Sequence, residues 1–415
     1  MPKTELVEET QNEIDKSGPV DLLIGIAGPV DMAELTLRAE AVLQAIPAGV
    51  NPAHVVVAYP GGNSENGAAA NNGYQPLRLM PYTLPASDPT NLPWTITSVA
   101  QRIICALAVE LNAKMCILFH SDLTLLQPDV VQALAVPILE KEIDLVLPVY
   151  PSRKFEGLLN HSILAPLIRS LYGRRVRYPL APDISCSARM IARLAKGQSE
   201  QERNPGPLLW PVVMATIGEQ QISQVNVGTS HATQTEGLEL STVLSSLVGA
   251  AYAEMETYAA QWQRVRGSHL AAIAGNATQQ FGDGDPVDVK PLIDSFLLGS
   301  SNLQEVWRLV LPPVTLLELK KLARLSPEAF RMPDELWVRI IYDFALAHRL
   351  RTISRVHLLG ALTPLYLGWV ASYVQEAAKM SPLAAEQRLE QLARAYEENK
   401  PYLLSRWRWP DRFNP

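Results

Sequence analysis

Only three cysteines, Cys105, Cys116 and Cys186, occur in 415 residues. No two of them stand in a Cys-x-x-Cys or Cys/His zinc spacing, which excludes a disulfide framework and a zinc-ribbon site. The thiols therefore read as small buried hydrophobes. Long apolar runs are also missing: nothing approaches the roughly 18 uncharged apolar residues of a membrane span. The opening MPKTELVEETQNEIDKSG is polar and acidic where a signal peptide would be apolar, so the expectation is a cytoplasmic protein with no membrane contact. Positive charge is short as well. The 36 Lys and Arg against 42 Asp and Glu leave a net charge of −6, which gives a nucleic-acid partner no support. There is no G-x-G-x-x-G, no P-loop, no G-x-S-x-G elbow and no H-E-x-x-H.

What is present is an ordinary globular composition, 47% hydrophobic, long enough for two or three domains at roughly 100–200 residues each. VDLLIGIAGP (19–29), AHVVVAYPGG (53–62), KMCILF (114–119) and IDLVLPVY (143–150) are continuous apolar runs of the kind that form buried strands. Residues 32–46, 95–111 and PDVVQALAVPILEK have helical spacing, and NSENGAAANNGY is loop by its Asn, Gly and Ser. Alternation of this kind predicts an α/β fold with a parallel sheet covered by helices on both faces. Ligands of such sheets bind at the carboxyl ends of the strands. QISQVNVGTSH (221–231) alternates as a further strand, and from about Leu240 nearly everything is helical. The stretch LLGALTPLYLGWV reads as a buried helix.

The strand in CILFHSDLTLLQPD ends at His120, Ser121 and Asp122. A carboxylate just past a buried strand suits a divalent cation bridging diphosphate oxygens, or else caps a turn. His120 reads as a ligand for Mn²⁺, a hydrogen-bond donor to phosphate or ribose, or a packed strand-end residue. His231 after QVNVGTS is either a ligand or a satisfied strand-end histidine. Gly61 and Gly62 leave room for a nucleotide or simply form a turn. Arg153, Lys154 and Arg169 are candidate anion binders or solvated surface charges. Arg174, Arg175 and Arg177 read as a solvated loop.

In combination, four stretches resemble the glycosyltransferases of GT-A fold that make compatible solutes, mannosylglycerate synthase and glucosyl-3-phosphoglycerate synthase. They are FHSDLTLLQPDVVQALAVPILEKEIDLVLPVYPSRKFEG, GLLNHSILAPLIRSLYGRRVRYPLAPDISCSARMI, ISQVNVGTSHATQTEGLELSTV, and DELWVRIIYDFALAHR with LTPLYLGWVASYVQE. The resemblance implies a GT-A-type (Rossmann-like) nucleotide-diphospho-sugar transferase sheet at 19–239, while composition and periodicity themselves give a disordered leader at 1–18 and a helical region at 240–415. It implies a metal-dependent, retaining transfer of a hexose from a nucleotide-diphosphate sugar to a small hydroxy acid of the glycerate or 3-phosphoglycerate type. Asp122 and His231 would bind Mn²⁺ or Mg²⁺. Ile26, Ala27, Gly28, Tyr59, Gly61, His120 and Ser121 would border the nucleotide. Arg153, Lys154, Gly157, Leu158, Leu159 and Asn160 would line the acceptor, and Asp122, Asn160 and Asp183 would serve the reaction. Apart from the resemblance, the apolar C-terminal helices read either as a homodimer face or as intramolecular core.

Three departures accompany the likeness. His120 stands for the first acid of Asp-x-Asp, Trp210 stands for an acid before the Gln-Val strand, and NLPWTITSVAQRI with Arg102 replaces a basic element. They motivate an alternative: a catalytically altered relative that binds sugar nucleotides or serves as a partner protein.

Overall fold

The computed structural model describes residues 18–61, 78–84, 93–120, 123–201, 210–228, 238–275 and 281–410. It divides into two compact units, one of residues 1–151, 178–236 and 271–278 and the other of residues 152–177, 237–270 and 279–415. The predicted leader, the Asn-rich loop, Ser121, Asp122 and His231 lie outside the described residues.

The first unit runs β1 (Leu22–Ile26), α1 (Met32–Gln44), β2 (Val55–Pro60), β3 (Arg78–Tyr82), α2 (Pro93–Glu110), β4 (Met115–Phe119) and α3 (Pro128–Lys141). It continues with β5 (Leu145–Val149), β6 (Ile184–Ser187), α4 (Ala188–Gln201), α5 (Pro211–Ile217), β7 (Ile222–Asn226) and β8 (Ala272–Ala274). The strands form one sheet in the order β8-β7-β5-β6-β4-β1-β2-β3. β1, β4 and β5 are buried at every position, which is why their sequences are unbroken apolar runs rather than alternating ones. Gly25 in β1 is there for close packing: a Cβ would lie 2.4 Å from Cγ2 of Ile104 in α2. α1 starts at Asp31, whose carboxylate accepts the Glu34 N–H at 2.8 Å as an N-cap.

The sheet is not wholly parallel, contrary to the sequence reading. β6 runs antiparallel to both of its neighbours, β4 (Leu118 opposite Ile184) and β5 (Leu145 opposite Cys186). β6 and the edge strands β3 and β8 are elements that periodicity missed. The same register puts Cys116 opposite Cys186, and all three cysteines are buried and free.

Two buried aspartates pin the amino ends of the parallel strands. Asp144, 1% exposed, stands just before β5. It accepts Ser187 Oγ at 2.8 Å, Arg189 Nε and Nη2 at 3.0 Å each, and the Gln221 N–H at 3.0 Å. One carboxylate thus joins the entry of β5, the exit of β6 and the entry of β7. Asp21 before β1 takes the Asn51 N–H at 3.1 Å, His54 Nδ1 at 3.0 Å and Lys114 Nζ at 2.7 Å. Burial pushes its carboxyl upward, but the Lys114, Asn51 and His54 contacts outweigh burial and hold it below the usual range.

The second unit is helical. Helix Asp334–Leu350 and helix Arg355–Ala377 carry most of its core, with Trp337 stacked on Trp369 (5.9 Å between centroids) and Trp369 on Tyr373 (5.4 Å). The LLGALTPLYLGWV segment is part of the second of these helices. Gly299 of helix Lys290–Asn302 faces Pro364, where a Cβ would lie 2.5 Å from the proline ring. Residues 152–177 belong to this unit because helix Ala165–Tyr172 is buried along its length. Its Arg169 donates to Glu390 at 2.7 Å and Glu397 at 2.9 Å. No helix among the described residues is long and apolar enough to cross a membrane.

Replacing Asp144 by Ala strands a buried amide and hydroxyl and removes a charged acceptor, so urea denaturation should show a loss of about 3 kcal/mol. The pH dependence follows from Asp21. Its folded carboxyl is depressed, so its stabilising contribution is complete above the ordinary carboxylate range and is lost as the pH falls through the folded value. Denaturation series from pH 7 to about pH 3 should therefore give a flatter acid limb for Asp21→Asn than for the wild type.

Candidate functional site

Because β6 is reversed, its first residue arrives at the edge where β4 and β5 end. Asp183 immediately precedes β6 and is fully buried (0% exposed). Its Oδ1 accepts the backbone N–H of His120 at 2.8 Å, and its Oδ2 accepts the hydroxyl of Tyr150 at 2.6 Å. Had β6 run parallel to its neighbours, the same residue would lie at the opposite edge. Tyr150 packs edge-on against Tyr178, with centroids 5.1 Å apart. Burial, and after it the adjacent Asp183 carboxylate, pushes the Tyr150 phenol far above its usual range, so it stays a donor at working pH.

Three strand ends of this edge hold the described residues among those predicted for the nucleotide. Ile26 closes β1 and Ala27 and Gly28 follow it, all three buried; Tyr59 and Gly61 close β2 and are half-buried, and His120 follows β4, also half-buried. Much of their backbone is already engaged. Ala27 N–H donates to Phe119 O at 2.8 Å, Gly61 N–H donates to Tyr82 O at 3.0 Å, and Ile26 O accepts the Tyr82 hydroxyl at 2.6 Å. These positions set the shape of the edge. Tyr82, fully buried on β3, and Tyr150 are the functional-edge residues that sequence reasoning missed. A tyrosine in an apolar run was the only available signal, because a buried phenol needs a partner.

β4 and β7 both end at this edge. Between them stand β6 and β5, so the two ends are three strand spacings apart, roughly 14 Å. β7 pairs as far as Val227, whose N–H donates to Val149 O at 3.3 Å, and Gly228 then turns the chain with a φ of +68°. Asp122 and His231 lie beyond these ends, outside the described residues, as does Ser121. Among the described residues no group of three or more His, Cys, Asp or Glu side chains is gathered to hold a metal. Trp210, where the resemblance has an acid, is packed in the core at 2% exposed. The carbonyl of Pro182, just before Asp183, accepts Gln101 Nε2 at 3.0 Å.

The predicted acceptor residues belong to the second unit. Arg153 pairs with Asp285 at 3.0 Å. Lys154 is buried (5% exposed) and donates to Met380 O at 3.0 Å and Ala377 O at 3.5 Å, with Asp283 at 3.0 Å. An ammonium has three donors, and here they close the end of helix Arg355–Ala377. This engagement differs from the expected anion-binding role, and so does that of Arg169 with its two glutamates. Gly157 has a φ of +61°, Leu158 is buried, and Leu159 leads into a π-helical turn, Asn160–Leu164. Asn160 Nδ2 donates to Arg177 O at 2.7 Å. In that turn burial, then Arg177, pulls His161 down to about 4, which keeps it neutral. The three arginines read as a solvated loop are half-buried; Arg175 Nε donates to Ser268 Oγ at 2.7 Å, and Arg177 meets Glu386.

No family model matches the chain, and no curated protein matches it. Solved structures of glucosyl-3-phosphoglycerate synthase from Mycobacterium tuberculosis are similar at a low level. The complex with Mn²⁺, UDP and glucosyl-3-phosphoglycerate gives a TM-score of 0.37 at 16% identity, covering 61% of this chain and 84% of that one. The complex with Mn²⁺, UDP-glucose and phosphoglyceric acid gives 0.36 at 16%, with the same coverage. Likeness at this level transfers neither substrate nor mechanism.

Among the described residues nothing lies within 4 Å of a would-be Cβ on Gly228, so against them the cost of replacing it is conformational. Thermal denaturation of Gly228→Ala should show a loss of about 1 kcal/mol, and of Gly228→Asn a smaller one.

Proposed function

We propose that the chain is a retaining glycosyltransferase that moves a hexose from a nucleotide-diphosphate sugar to a small hydroxy acid of the glycerate or 3-phosphoglycerate type. The observation that carries this reading is the reversed strand β6. It brings the Asp183 carboxylate to the edge where the ends of β1, β2 and β4 gather the residues the motif resemblance assigns to the nucleotide.

A divalent ion fits the same edge. A carboxylate suits Mn²⁺ or Mg²⁺, and an imidazole beside it favours Mn²⁺ of the two. His231 follows Asn226 by five residues, a tether of up to about 17 Å when extended, and Asp122 follows Phe119 by three, up to about 10 Å. Together they exceed the roughly 14 Å between their strands. When bound, the ion neutralises the leaving diphosphate. The chain's own part is to hold the nucleotide between Ile26–Gly28 and Tyr59–Gly61 and to carry Asp122 two residues beyond His120. In the transfer, an acceptor hydroxyl oxygen bonds the anomeric carbon as the carbon–oxygen bond to the diphosphate breaks. The hydroxyl proton passes to the departing phosphate oxygen on the same face of the sugar. His120 has no carboxylate to offer where the resemblance has one, so one ionic contact to the ion or ribose is replaced by a neutral or singly charged imidazole.

Isothermal calorimetry with UDP, GDP and their glucose and mannose conjugates tests the reading. Binding should require Mn²⁺ or Mg²⁺ and should fall at least tenfold in Asp122→Ala and in His231→Ala. Binding indifferent to metal and to both substitutions would refute it. Binding without turnover on any hydroxy acid would select the altered, non-catalytic relative instead.

A further inference from the structure

Three neighbouring strand ends, those of β5, β6 and β4, are joined by one chain of side-chain contacts. Tyr150 follows β5, Asp183 precedes β6 and His120 follows β4. The β4–β6 ladder stops at Leu118 opposite Ile184, so Asp183 stands one step further out, opposite Phe119. There its carboxylate takes the His120 N–H, the donor that a continued strand would have offered to a backbone carbonyl. A fully buried carboxylate is costly unless donors surround it, and these two oxygens each have one. The donor from the other side, the Tyr150 hydroxyl, is aimed by the Tyr178 ring and by the β5–β7 ladder, which continues to Val149 and Val227.

We propose that Tyr150 is a positioning residue: through Asp183 its hydroxyl fixes the His120 amide, and with it the carboxyl end of β4. What that strand end binds rests on the nucleotide-sugar reading, but the contact chain does not. On this assignment Asp183 is also a positioning residue, since both of its oxygens serve the edge itself. Tyr150 also directly follows Val149, whose carbonyl accepts the last ladder bond from β7, so its backbone position is held from that side as well.

The test is Tyr150→Phe, which removes one oxygen and keeps the ring packed on Tyr178. In the ligand-free protein, amide hydrogen exchange over residues 118–125 should accelerate about tenfold, the equivalent of one lost hydrogen bond to a charged group, with the rest of the sheet unchanged. With Mn²⁺ present, UDP affinity should drop by a similar factor. Asp183→Asn should act in the same direction, and the double variant should lose no more than the worse single one. Unchanged exchange at 118–125, a uniform rise across the whole sheet, or additive losses in the double variant would each overturn the assignment. If the wild type binds neither UDP nor GDP with metal, the nucleotide-sugar reading fails. The exchange comparison then still decides whether Tyr150 holds the end of β4.

Discussion

Reversing a single strand inside a parallel sheet creates a constraint that the rest of the first unit answers. β6 pairs with β4 and β5 by backbone bonds alone over four residues, too short a ladder to fix its own register firmly. A buried aspartate secures each end. At the foot, Asp144 gathers Ser187, Arg189 and the Gln221 amide. At the head, Asp183 gathers the His120 amide and the Tyr150 hydroxyl. Both are charged groups in a dry interior, and each is tolerated because its lone pairs are met by donors from more than one strand. A one-residue slip of β6 would break both clamps at once, so the aspartates specify register as well as stabilise it.

The two clamps differ in what they hold. The Asp144 cluster lies where parallel strands begin, an edge that this kind of sheet uses for stability. The Asp183 cluster lies where they end, the edge at which loops are free to vary and ligands bind. The same device, a carboxylate before a strand, therefore does structural service at one edge and shapes a candidate site at the other, and strand direction decides which. The helical unit shows the same economy with cations. Lys154 closes a helix end and Arg169 joins two glutamates, so charges that look available in the sequence are committed inside the fold.

How much of this was legible in the sequence follows from where each element gets its stability. β1, β4 and β5 declare themselves, since strands buried on both faces need unbroken apolar runs. Ile-Ser-Cys-Ser of β6 declares nothing: Ser185 is fully buried only because β4 and β5 flank it, which no local pattern encodes. β3 contains Pro81, which argues against a strand, yet β3 pairs on one side only and an edge position needs no donor there. The strand-end residues of the candidate site could be named from the runs that precede them. The partners Tyr82 and Tyr150 could not, because a phenol's acceptor is chosen by chain segments dozens of residues away.

His120 gains a different meaning from this arrangement. As a side chain it departs from the acid that the resemblance expects. As a backbone amide it is the donor on which the Asp183 clamp closes, a role indifferent to the identity of the side chain. A side chain other than the expected acid can therefore stand here without loosening the clamp, provided that the amide, the carboxylate and the phenol stay in place. On the proposed nucleotide-sugar reading the frame carries the geometry and the His120 side chain tunes what the edge binds, so that reading calls for a changed preference for ion or nucleotide rather than a collapsed site.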